Sequence, residues 1–95
     1  MLKSTGVDNN EFLEYKGRPL VRKDDEIIYG DLSDKYHVFM MIMAEAPTSK
    51  GIEVPSMIMV QLMPREGKTP EKQIISKSLS DALDTADIWL DRYNK

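Results

Sequence analysis

With 95 residues, 41% hydrophobic and 31% charged, the chain has the length and composition of one ordinary globular domain. Its net charge of −3 excludes whole-surface attraction to nucleic acid or to anionic lipid. It has no cysteine, which excludes disulfides, a thiol nucleophile and a cysteine–zinc site.

Residues 1–10 are polar, include Gly6, Asn9 and Asn10, and read as a flexible N-terminal tail, leaving 11–95 as a single domain. The first six residues lack the apolar core of a secretory leader, and the longest apolar run, 38–44, is too short to span a bilayer. With cysteine absent as well, the expected location is cytoplasmic.

Residues 12–16 have the composition of a first short strand, which Gly17, Arg18 and Pro19 are expected to break. Residues 20–23 and 26–29 flank Asp24 and Asp25, two turn-formers between apolar-rich runs, and predict a hairpin. A turn follows over 30–35. Two long strands, 36–44 and 54–63, then surround Pro47, Thr48, Ser49, Lys50 and Gly51, which have turn chemistry throughout.

This long hairpin is apolar on both faces. With Ala44 placed opposite Val54, one face carries Tyr36, Val38, Met40, Ile42, Ile58, Val60 and Leu62. The other carries Phe39, Met41, Met43, Met57 and Met59, with His37 and Gln61 at its end. Six of the seven methionines lie in these two strands. Flexible and polarisable, they suit a repacking core, a self-association surface or a peptide groove alike. One face can take a helix. The second must meet another part of the chain, another copy or a different partner.

Residues 64–70 read as a loop, with Thr69, Pro70 and Glu71 resembling a helix start. Residues 73–77 fit a strand or a helical turn, with a strand preferred. The last segment is clearer. Ser78 followed by Asp81 resembles a capping box. Leu79, Ala82, Leu83, Ala86, Trp89, Leu90 and Tyr93 then form an apolar stripe, with Asp81, Asp84, Asp87 and Asp91 on what reads as a solvated side. The expected fold is α+β: an antiparallel meander of about four to six strands with one C-terminal amphipathic helix packed on one face.

Three blocks, residues 13–22, 29–36 and 82–90, together resemble a family of small uncharacterised bacterial proteins of about this length. The resemblance implies a bacterial, cytoplasmic, single-domain protein and carries no activity, cofactor or catalytic residue.

No motif specifies a reaction. His37, the only histidine, can be grouped with Ser33, Asp31 and Asp34, but a catalytic triad is defined by geometry and these residue types are common. One histidine with scattered carboxylates lacks the spacing of a zinc site, and the 31–34 turn lacks a calcium-binding loop. No glycine-rich phosphate loop is present. The expectation is therefore a non-catalytic protein without cofactor, acting by protein interaction or self-association through Phe39, Met41, Met43, Met57 and Met59 or through a free sheet edge. The alternative is single-stranded nucleic-acid binding by Tyr15, Lys16, Arg18, Arg22 and Lys23, a basic segment next to an aromatic. Asp24, Asp25 and Glu26 follow at once and cancel much of that charge.

Overall fold

The computed structural model describes residues 3–4 and 11–94. Its elements are β1 (Lys3–Ser4), β2 (Glu11–Tyr15), β3 (Arg18–Lys23), β4 (Glu26–Tyr29), β5 (Tyr36–Pro47), β6 (Glu53–Pro64), β7 (Lys72–Ser76) and helix α1 (Leu79–Tyr93). Each strand pairs antiparallel with the next, so the sheet is a meander in chain order, and α1 packs over β5, β6 and β7. The architecture is the α+β arrangement the sequence predicts. One strand more than expected comes from Lys3 and Ser4, which pair with Phe12 and Glu11. The rest of the 1–10 segment lies outside the described residues.

The turns are tighter than composition alone suggests. Tyr15 pairs with Arg18, and the two residues between them, Lys16 and Gly17, both take positive φ, 51° and 79°. That is the backbone a two-residue hairpin turn requires. The chain breaks only there, and Pro19 lies inside β3. Its carbonyl accepts from Gly30 N–H at 2.8 Å. The N–H and C=O of a strand residue point the same way. The N–H that proline lacks would therefore face a stretch where β4 has already ended. Thr69, Pro70 and Glu71 start no helix. They lead into β7, with Glu71 N–H donating to the Leu62 carbonyl at 2.8 Å.

The core lies between one sheet face and the helix. Leu20, Ile27, Tyr29, Val38, Met40, Ile42, Ile58, Val60 and Leu62 are buried there against Ala82, Ala86, Trp89 and Leu90. Each large side chain so buried contributes roughly 1.5–3 kcal/mol. Ser78 caps the helix by accepting from Asp81 N–H at 3.1 Å. At the other end, the Asn94 carboxamide accepts from Tyr36 N–H at 2.8 Å and donates to the Tyr36 carbonyl at 3.0 Å. This pins the helix terminus to the start of β5. Gly30 (φ 102°) makes room for the same closure, since a Cβ there would lie 3.0 Å from Leu90 Cδ1.

The long hairpin has the expected face assignment in a different register. Val38 is opposite Leu62, Met40 opposite Val60 and Met41 opposite Met59, two residues away from the pairing expected from sequence. A shift of two preserves the side-chain faces. The pairing is irregular from Ile42 to Glu45, and Met43 falls at this bulge. Pairing to β4 stops at Met41 and pairing to β7 stops at Ile58. Residues 43–57 therefore continue as a two-stranded arm with no described strand on either side, and none of them is buried.

Candidate functional site

Register across the meander defines the face opposite the helix. Val21 is opposite Ile28, and Ile28 opposite Phe39. Met41 is opposite Met59, and Met59 opposite Ile75. These six side chains alternate with the buried set, so they project to the other side of the sheet. No described element packs on them. Val21, Ile28, Phe39, Met41 and Met59 are half-buried by their own neighbours, while Ile75 is 52% exposed. A Gln61–Gln73 side-chain hydrogen bond of 2.8 Å borders the Phe39 end, and Lys23 opposite Glu26 borders the Met41 end.

Of the five residues expected on this face, Phe39, Met41 and Met59 lie at its centre. Met57 continues the row toward the arm and is 44% exposed, and Met43 at the bulge is 55% exposed. The sequence reading missed Val21, Ile28 and Ile75. Their alternation with Leu20, Ile27 and Ser76 was legible, but only the strand order shows that these short runs extend the same surface.

The basic segment is not a free patch. Tyr15 Oη donates to Asp84 at 2.9 Å, and Lys16 Nζ lies 3.3 Å from Asp84 and 3.9 Å from Asp87. Arg18 pairs with Asp87 and, at 2.6 Å, with Asp91. Tyr29 Oη donates to the Tyr15 carbonyl at 2.8 Å, and the two rings meet edge-on at 5.9 Å. Arg22 Nε donates to the Asp24 carbonyl at 3.1 Å, and Lys23 is exposed. The helix aspartates expected to face solvent thus correct to a bridge. Asp84, Asp87 and Asp91, at helical spacings of three and four, reach the β2–β3 hairpin, while Asp81 stays exposed.

Electrostatics follow from these contacts. The Tyr15 hydroxyl and the Lys16 ammonium hold the Asp84 carboxyl below its ordinary value. The same hydrogen bonds to Asp84 raise both Tyr15 and Lys16. Burial acts to lower the Arg18 guanidinium, but its hydrogen bonds and the charges of Asp87 and Asp91 raise it overall.

The catalytic grouping around His37 does not assemble. Ser33 donates from Oγ and from its backbone N–H to Asp31 Oδ1, at 2.7 and 2.9 Å, closing the 31–35 turn and lowering Asp31. His37 Nδ1 is buried without a hydrogen-bond partner, and burial lowers the imidazole. Among the described residues no group of three or more His, Cys, Asp or Glu is placed to hold a metal ion. Among the described residues, one shallow depression of about 390 Å³ lies beside Asp24, Asp25 and Met41, and another of about 330 Å³ beside Lys35, Pro64 and Arg65. Neither contains a nucleophile paired with a base. No described helix is long and apolar enough to cross a membrane. Comparison of the chain with protein-family models, curated proteins and solved structures found no match.

Proposed function

We propose that this protein is a non-catalytic association module and that its open sheet face binds a second copy of the same chain. The observation that carries this reading is the row structure of that face: Val21, Ile28, Phe39, Met41, Met59 and Ile75 on one surface with no described layer over it. An antiparallel sheet with one solvated face ordinarily presents polar residues there. Two rows of three, Val21–Ile28–Phe39 and Met41–Met59–Ile75, at about 4.8 Å strand spacing and about 7 Å apart along the strands, give a contiguous apolar patch on the order of 200 Å² in plan.

A second copy is the fitting occupant because the centre of the face is uncharged and its Lys23–Glu26 border carries both signs. A symmetric contact then opposes no block of like charge. The basic segment does not support nucleic-acid binding to the same degree, since helix carboxylates already neutralise Lys16 and Arg18.

The test is solution mass by light scattering over a concentration series, for the wild type and for a Met41→Lys, Met59→Lys double variant. The wild type is expected to be a dimer and the variant a folded monomer, with helical and sheet content checked by circular dichroism. A monomeric wild type, or a variant that keeps the wild-type mass, overturns the reading.

A further inference from the structure

The arm formed by residues 43–57 calls for its own explanation. An isolated two-stranded ribbon is marginally stable in water, because its side chains have no second layer to bury against. This one nonetheless carries Met43, Ile52, Val54 and Met57, which are 55%, 61%, 40% and 44% exposed. Its tip is well built. Thr48 N–H donates to the Ile52 carbonyl at 2.8 Å, Gly51 N–H donates to the Thr48 carbonyl at 2.9 Å, and Thr48 Oγ1 accepts from Ile52 N–H at 3.2 Å. The arm is a hydrogen-bonded projection with apolar side chains and no described strand beside it. At its root Met57 runs directly into the open face through Met59.

Resting on the reading above, we infer that the arm is the element that clasps the second copy, each protomer laying residues 43–57 across the open face of the other. Area decides between a second copy and an unrelated partner. A ribbon about 10 Å wide and about 16 Å long buries on the order of 500 Å² in total when laid on a surface, below the roughly 1,000 Å² a stable interface needs. A twofold axis makes the contact twice and brings the total to about that threshold, whereas a one-way insertion into a different protein makes it once. Charge agrees with this. The arm carries Glu45, Lys50 and Glu53, and the border of the face carries Lys23 and Glu26, so both signs occur on each side.

The absence of native cysteine makes the geometry directly testable. Val54→Cys places one thiol on the arm, and Ile28→Cys places one on the face of an otherwise full-length chain. Mixed and mildly oxidised, the two are expected to give a covalent heterodimer in preference to either homodimer. A second variant replaces residues 45–55 with an Asn-Gly turn. It is expected to keep the core fold by circular dichroism and to weaken self-association at least 100-fold. Dimerisation that survives trimming, or random cross-linking in the mixture, overturns the arm while leaving the face as the interface. A wild type that is monomeric throughout overturns both. Should the trimmed chain fail to fold, the cysteine pair in the full-length chain still decides.

Discussion

The two faces of the sheet are built from nearly the same residue types and have opposite fates. In β6, Ile58 and Val60 are fully buried beneath α1, while Met59 between them is half-exposed on a face that nothing described covers. Hydrophobicity does not separate these neighbours. The described residues supply one amphipathic helix for two apolar faces, and that helix takes the aliphatic one, where β-branched and leucine side chains present well-defined shapes to Ala82, Ala86 and Leu90. The face left over is the methionine-rich one, made of side chains that adapt to irregular contacts.

The contrast can be broken first at Ile58. Ile58→Ala removes packing from the covered face and is expected to cost the fold about 2–5 kcal/mol, read from urea denaturation. A smaller effect is expected on the polar flank of the same layer. Arg18→Gln leaves Asp87 and Asp91 without their guanidinium, a partly buried arrangement with an expected cost of about 1–2 kcal/mol by the same measurement. Met59→Ala, one residue from Ile58 but on the open face, is expected to cost under about 1 kcal/mol of protomer stability. Its main expected effect is weaker self-association. Comparable losses from Ile58→Ala and Met59→Ala, measured at a concentration where the chain is monomeric, would mean that another part of the same chain covers the open face.

Two titrations sharpen the picture at its margins. His37 is held neutral by burial, so its pKa in the folded chain lies below its unfolded value of 6.5. Folding stability is therefore fully present above about pH 6.5 and declines as pH falls below it, and His37→Gln is expected to flatten that slope in thermal melts. Asp84 is depressed by Tyr15 and Lys16, so its contribution is present above its unfolded value of 3.8 and is lost as pH falls through its lower folded value. Tyr15→Phe is expected to move the Asp84 titration, followed by NMR, back toward the ordinary carboxylate range. An unmoved titration would mean that the flank bridge does not persist in solution.

Much of this arrangement is legible in the sequence. The Leu79-to-Tyr93 stripe and the Ser78 cap are local signals, set by 3.6-residue periodicity and by a side chain that reaches one turn ahead, and both appear in the structure. The face assignment of β5 and β6 survived a two-residue error in register because strand faces depend only on parity. Three features were not legible. The strand status of Lys3 and Ser4 depends on a partner strand, not on their own polar side chains. The contact of Asp84, Asp87 and Asp91 with the β2–β3 hairpin depends on where that hairpin lies relative to the helix flank. The free arm depends on β4 and β7 being shorter than the strands they flank.

The sequence by itself determined the element types, the helix and its apolar stripe, and the division of the long hairpin into two faces, because these follow from chain-local periodicity. Only the tertiary structure decided that Tyr15, Lys16 and Arg18 of the basic segment are engaged by helix carboxylates, and that residues 43–57 run beyond the strands flanking β5 and β6. Each of those depends on strand order and relative strand length, which place residues far apart in the chain side by side.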